Sequence, residues 1–296
     1  MSDTRLGRST KAATSQRDAS LFSTRFHSEY GALWGFIEAD APVCFSPALI
    51  RAMRERQQAF AEQVARETAA GHTNPARYQV LASRLPGIFS LGGDLAHFAR
   101  LVETCDREGL VRYGIDCVDL VYWTAAGYGL PVTTIALVQG TAQGGGFEAA
   151  LAAHVLIAER QCQFGFPEVL FNLFPGMGAA HFLLRRVSQP IAWEILSSGR
   201  MYSAEELHRM GIVDILVDTG EGEQAVRQYI RRNDNRHRGL NAMRQVLQRA
   251  QPIEREELVR TVQEWADLAL KMDARDLKTI RRLQRAQTRL RGTPQA

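Results

Sequence analysis

Cysteine is scarce in this chain. Cys44, Cys105, Cys117 and Cys162 are the only four in 296 residues, and no two stand at Cys-x-x-Cys spacing. With no clustered histidine beside them, neither a zinc site nor a disulfide framework is indicated, and reduced, packed thiols are expected. No apolar run approaches the roughly 20 residues that span a bilayer. Met1 to Ser20 is polar and arginine-rich, without the apolar block of a secretory signal. These absences predict a cytoplasmic chain with no membrane partner. Lysine is nearly missing as well, with only Lys11, Lys271 and Lys278, so the other basic residues are arginine. A compositional bias of the genome explains that bias, and no function is read from it. Three motifs are also lacking. Gly176-Met177-Gly178 has His181 where the third glycine of G-x-G-x-x-G belongs, and neither a P-loop Gly-Lys-Ser/Thr nor a G-x-S-x-G elbow occurs. Dinucleotide binding and serine-nucleophile hydrolysis are therefore unsupported, and neither a cofactor nor a metal is expected.

What remains is a chain that is 45% apolar, enough for a substantial core. The net charge of +4 is small for this length, but Lys271 to Arg291 carries eight basic residues against Asp273 and Asp276. A solvated helix face explains that run better than nucleic acid does. Three regions are expected: a flexible tail over 1–25, a catalytic core over 26–220 and a C-terminal helical region over 221–296. Ala32 to Ile37 reads as a strand, and Ser46-Pro47 then supplies an N-cap and a first-turn proline for a helix running toward Gly71. Tyr78 to Ser83 is strand-like. Asp94 to about Ala126 reads as helix with a break near Gly109, and Val132 to Gln139 as a buried strand. After the triple glycine, Phe147 to Ala153 reads as helix and His154 to Ala158 as strand. Ser203-Ala204-Glu205-Glu206 has capping-box spacing before the strand-like Ile212 to Val217. From Glu223 the chain reads as helix almost throughout, with apolar faces such as Val262, Trp265, Leu268 and Met272 that must be covered. The fold class is α/β, with strands and helices alternating.

Two glutamates carry the chemistry. Glu148 ends Gly144-Gly145-Gly146-Phe147-Glu148, and Glu168 ends Phe164-Gly165-Phe166-Pro167-Glu168. Glycines directly after a buried strand let backbone approach a ligand closely, and the following helix presents free N–H groups at its positive end. Leu91-Gly92-Gly93-Asp94 offers a second such turn. Gly93 and Gly145 are thus candidate donors for the oxygen of a thioester enolate, each typically worth about 3 to 4 kcal/mol. Two carboxyls in one apolar cleft perturb each other so that one holds a proton, giving an acid and a base together. Such a pair suits elimination of water. Taken singly, each glycine cluster reads as a tight turn, Glu148 as a helix-dipole carboxylate and Glu168 as a loop residue; taken together they favour a site.

Phe89-Ser90-Leu91-Gly92-Gly93-Asp94-Leu95, the run from Gly140 to Glu148, Phe164 to Glu168 and Phe174-Pro175-Gly176-Met177-Gly178 resemble the crotonase, or enoyl-CoA hydratase/isomerase, superfamily. Tyr202 to Glu206 and Met210 to Asp214 extend the likeness. Within that superfamily the residues look most like bacterial synthases of diffusible signal factors, through Ile135 to Gly140, Gly144 to Leu151, Pro167 to Phe171 and Leu173 to Ala179. Trp265 and Arg285-Ala286-Gln287 continue that likeness. The resemblance implies a spiral of strand-strand-helix turns with a C-terminal helical region, a homotrimer or hexamer, catalytic Glu148 and Glu168, and an oxyanion hole at Gly93 and Gly145. It also implies dehydration of a 3-hydroxyacyl chain on acyl carrier protein to a cis-2-enoyl product, then thioester hydrolysis. Glu168 is expected to take the C2 proton and Glu148 to protonate the C3 hydroxyl, although sequence leaves the reverse open. Gly92, Phe147, Phe171, Leu173 and Trp265 are expected to contact the substrate. Glu38 to Phe45 lacks the Arg/Lys-Pro-x-x-x-Asn-Ala loop of ordinary hydratases near the CoA adenine, which favours carrier protein as acyl donor. The basic C-terminal helix offers that acidic partner a surface. Alternatives are a trans-specific enoyl-CoA hydratase, and a regulatory binding protein with a vestigial cleft that controls a signal receptor or sensor.

Overall fold

A computed structural model describes residues 20–71 and 76–292. The chain enters a sheet through β1 (Phe22–His27), which pairs antiparallel with β2 (Ala32–Ile37). Strand therefore begins at Phe22, inside the expected 1–25 tail. The reason is packing: Gly35 has no side chain, and a Cβ there would lie 2.5 Å from the Phe22 ring. Residues 1–19, the rest of that tail, lie outside the described residues. Ser46 caps α1 (Pro47–Ala69) by accepting the Leu49 N–H at 3.2 Å, and β3 (Tyr78–Ser83) then runs parallel to β2.

After the short β4 (Ile88–Ser90), the expected long helix is two, α2 (Leu95–Glu103) and α3 (Arg107–Ala125). The break falls at Thr104 to Asp106 and not at Gly109, because the Asp106 carboxylate caps α3 by accepting the Gly109 N–H at 2.8 Å. Cys105, in this turn with φ 52°, is exposed, so only Cys44, Cys117 and Cys162 are the packed thiols expected. All six residues of β5 (Thr133–Val138) are buried. A strand covered on both faces shows no polar alternation, and after Thr133 and Thr134 the run is continuously apolar.

The chain continues through β6 (Thr141–Gln143), α4 (Gly145–Ala152), β7 (Val155–Glu159), β8 (Gln163–Gly165), α5 (Ala179–Leu184), α6 (Gln189–Ser198), β9 (Met201–Ser203), α7 (Ala204–Arg209) and β10 (Ile215–Val217). The capping box forms, with Ser203 and Glu206 bonding each other's backbone N–H. One sheet has the order β1-β2-β3-β5-β7-β10 and the other β4-β6-β8-β9. The pairs β3/β4, β5/β6 and β7/β8 each give one strand to each sheet, which builds the strand-strand-helix spiral.

Four helices follow: α8 (Gly222–Asn233), α9 (His237–Ala250), α10 (Arg255–Ala269) and α11 (Ala274–Gly292). The expected 221–296 region divides. Val226 and Ile230 of α8 pack with Tyr78, Ile135 and Ile157 on the large sheet, so this helix belongs to the core. By contrast, α10 lies on α3, where Gly114 lets Val262 approach so closely that a Cβ would sit 2.5 Å from its Cγ1. α11 packs on α2 and on the turn after β8. No helix among the described residues is long and apolar enough to cross a membrane.

Candidate active site

Three turns leave the C-terminal ends of β4, β6 and β8, which are parallel neighbours. Adjacent strands lie about 4.8 Å apart, so Gly92-Gly93, Gly144-Gly145 and Pro167-Glu168 emerge side by side. This small sheet is the element that sequence reading missed. Strands of three residues rich in serine, glutamine and glycine carry no periodic signal, yet they set the spacing of every proposed catalytic group.

The two donors converge. Gly93 and Gly145 both line one cleft with Glu148 and Glu168, and no protein acceptor among the described residues takes either N–H. Gly92, expected to contact the substrate, is not among the residues that line the cleft. Its φ is +85°, and a Cβ there would meet Gln143 O at 2.8 Å and Gly145 N at 3.0 Å, so Gly92 is the point where the two turns touch. Tyr113 fixes the first turn: its hydroxyl accepts the Asp94 N–H and donates to Phe45 O, both at 2.8 Å. Leu91 N–H donates to Val43 O and Phe45 N–H to Gly92 O, both at 2.7 Å, which ties the loop after β2 to the same turn.

Glu148 lies in the first turn of α4 and is 1% exposed. Its Oε1 accepts the N–H groups of Met177 at 2.7 Å and Ala179 at 2.9 Å. Burial raises its pKa to about 7, and those two amides hold it from rising further. Glu168 starts a short helical turn over Glu168–Phe171. Its carboxyl sits over Gly144, where a Cβ would lie 2.5 Å from Glu168 Oε1. The buried Oε2 has no hydrogen-bond partner among the described residues. Burial first, then the charge of Glu148, raises Glu168 to about 8. Both carboxyls are thus held well above the ordinary glutamate range, so the pair shares a proton in the cleft around neutral pH.

Phe171, Leu173 and Trp265, expected substrate contacts, line the cleft. Phe147 does not. One residue before Glu148 on the same helix, it points about 100° away and stacks at 4.8 Å on Phe166 in the core. Sequence reading missed Phe98, Tyr113, Cys117 and Met177, which also face the cleft. The four-residue interval between Tyr113 and Cys117 on α3 was the available signal. Burial, then the charge of Glu148, pushes the Cys117 thiol up and away from thiolate.

These features define an α/β protein in which two backbone donors and two coupled carboxyls face one apolar cleft. The model of the enoyl-CoA hydratase/isomerase family matches residues 54–268, and the chain belongs to that family. It is 31% identical over 153 residues to the probable enoyl-CoA hydratase 2, mitochondrial, of Arabidopsis thaliana, covering 51% of this chain and 48% of that protein. The chain spans about half the length, or less, of the curated relatives it matches. Its fold is similar to a putative enoyl-CoA hydratase from Streptomyces avermitilis, at 18% identity and TM-score 0.68, covering 93% of this chain and 98% of that one. It is also similar to Pseudomonas aeruginosa DspI, at 21% identity and TM-score 0.61, covering 82% and 93%.

Proposed function

We propose that this protein dehydrates a 3-hydroxyacyl thioester on acyl carrier protein to the cis-2-enoyl thioester and then hydrolyses it, releasing a cis-2-unsaturated fatty-acid signal. The observation that carries the reading is the convergence of Glu148, Glu168 and the unpaired amides of Gly93 and Gly145 on one cleft. The thioester oxygen takes both amides, which disperses the enolate charge. Glu168 removes the C2 proton, Glu148 gives its proton to the C3 hydroxyl, and water leaves. A second water, activated by one carboxylate, attacks the same carbonyl and expels the carrier thiol. Phe171, Leu173 and Trp265 bend the chain toward the cis product.

Carrier protein is the favoured donor because the loop over 38–45, without the CoA-loop motif, is engaged with the glycine turn through Val43 and Phe45. The exposed Arg282 and Arg285 of α11 offer a surface for an acidic carrier, whose attraction weakens with salt. Arg281 is already paired with Glu103 at 2.6 Å. Charge reversal at Arg282 and Arg285 should raise KM for carrier-bound substrate, and an unchanged KM removes this surface from the proposal. Assembly as a trimer or hexamer and contact with a signal receptor or sensor protein belong to the same reading.

A second reading is supported by the relatives, one of which is named as a probable enoyl-CoA hydratase. A proton resting on Glu168 and charge on Glu148 is the state ready to add water to an enoyl thioester, with Glu148 as base. Dehydration must start from the reverse distribution. Hydration of trans-2-enoyl-CoA is therefore the alternative activity.

The test is incubation with 3-hydroxyacyl carrier proteins and with trans-2-enoyl-CoA, followed by isomer-resolving chromatography and mass spectrometry. The proposal expects free cis-2-enoic acid, lost in Glu148→Gln and Glu168→Gln with the fold retained. Near-normal turnover by either variant sinks the mechanism, and product formed only from CoA substrate gives the alternative.

A further inference from the structure

We propose that the cavity beneath α9 is a second ligand site, separate from the catalytic cleft, which takes an organic anion with one carboxylate or phosphate on an apolar body. The cavity measures about 530 Å³, within the roughly 300 to 1,000 Å³ of small-molecule sites. It shares no lining residue with the cleft. Helices α3 and α4 run from one to the other: Cys117 and Glu148 face the cleft, while Ala125 and Leu151 face the cavity. Along α3 that interval is about 12 Å. An anion seated there needs nothing from the cleft, whatever the cleft binds.

The charge in the cavity wall is unbalanced. Arg186 pairs with Asp214 at 3.0 Å and donates to the carbonyls of Ile212 and Ala153, so those two charges cancel. Arg185 donates to the Gln251 carbonyl, and Arg244 to the hydroxyls of Thr133 at 2.6 Å and Tyr229 at 2.9 Å. These are neutral oxygens, and among the described residues neither arginine forms a salt bridge. Burial first, then the Arg186 charge, lowers the Arg185 pKa, as befits a guanidinium facing another with no carboxylate between them. His154 feels the same field. Burial, then Arg244, holds its pKa down to about 4, and its Nδ1 accepts the Thr134 N–H at 3.1 Å, so the imidazole is neutral. Two half-buried guanidinium charges are left over at one cavity. Cations held out of water without a counter-charge are unfavourable, and an anion from solution relieves that.

The face that α9 turns inward is polar, with His237, Asn241, Arg244 and Gln248 at intervals of four, three and four. A helix that only covered a core would turn an apolar stripe inward. Gln248 is fixed by its Nε2, which donates to Ala125 O at 2.7 Å. Leu151, Phe182 and Ile253 supply apolar wall. An arginine fork matches two oxygens of a carboxylate or phosphate, and the apolar wall suits a hydrocarbon body.

Calorimetric titration of the full chain with octanoate, octyl phosphate, inorganic phosphate and 1-octanol tests this. Octanoate or octyl phosphate should bind with Kd below about 1 mM, the tighter of the two naming the head group. Inorganic phosphate and 1-octanol should bind about tenfold more weakly or less. Arg185→Gln should weaken the binding about tenfold or more. So should Gln251→Glu, which adds a carboxylate on the residue whose carbonyl already takes Arg185. Arg185→Lys, which keeps the charge, should weaken it less. Gln251 is exposed, so Gln251→Glu keeps the test available should Arg185→Gln not fold. No binding by wild type, or 1-octanol or inorganic phosphate held as tightly as the better amphiphile, overturns the proposal. So does an affinity unmoved in a folded variant, which is the result expected for an amphiphile bound in the catalytic cleft.

Discussion

Gln287 Nε2 donates to Gly93 O at 3.2 Å across 194 residues of sequence, and to Leu91 O at 3.0 Å. The last helix thus grips the carbonyls of the turn that presents the Gly93 amide. The opposite end of α11 holds the other half of the site, where Asp276 Oδ1 accepts from Asn172 Nδ2 at 2.7 Å just after the Glu168 turn. One rigid helix ties both halves together.

Gln287→Ala should therefore lower kcat about three- to tenfold with little change in KM, since a net hydrogen bond is worth about 0.5 to 1.5 kcal/mol and the loss falls on donor placement. Steady-state kinetics decides it. A rise in KM at constant kcat would move Gln287 from donor placement to substrate binding.

The glycines of the two turns should not tolerate alanine equally. Gly144 has φ +50° and its added Cβ would lie 2.5 Å from Glu168 Oε1, whereas at Gly93 the nearest atom would be Tyr113 Oη at 3.3 Å. Gly144→Ala should displace the carboxyl and abolish turnover, while Gly93→Ala should lose roughly tenfold or less. Equal losses would mean that Glu168 can move aside without consequence.

Removing the Tyr113 hydroxyl leaves the half-buried Asp94 N–H and the buried Phe45 C=O short of a partner. Tyr113→Phe should cost about 1 to 3 kcal/mol, read as a lower denaturant midpoint, and should also reduce kcat because Asp94 and Phe45 flank the Gly93 turn. Wild-type stability in this variant would show that these backbone groups are satisfied elsewhere.

Glu148 at about 7 and Glu168 at about 8 lie above the ordinary 4.5 of a glutamate. Folding therefore favours their protonated forms. The associated stability is fully present below about pH 4.5 and is lost as pH rises through 7 and 8. For Glu148 the loss is on the order of 3 kcal/mol. Urea midpoints should fall from pH 5 to 8 in wild type and fall less in Glu148→Gln, whose amide oxygen can still accept from Met177 and Ala179. Parallel curves would refute this burial effect.

Long elements were legible because their signals are local. Ser46-Pro47 marked the start of α1, Ser203 and Glu206 formed the predicted box, and the apolar, β-branched run of β5 gave a buried strand. Signals that depend on a distant surface were not legible. β1 exists because Phe22 finds Gly35, and the Asp106 cap, not Gly109, sets where α3 begins. Phe147 looked like a wall of the cleft from its adjacency to Glu148, but helix rotation turns neighbouring residues apart.

The amino-acid order alone determined the family and marked the two candidate carboxyls and the two candidate glycine donors, because close backbone approach and acid–base work each demand particular residue types in short runs. Tertiary structure decided which of those groups meet. Neighbouring parallel strands in a small sheet set the turns side by side, burial brought the two carboxyls near neutrality, and a helix from the far end of the chain clamped the turns. Each of these depends on distance through space, which no local pattern records.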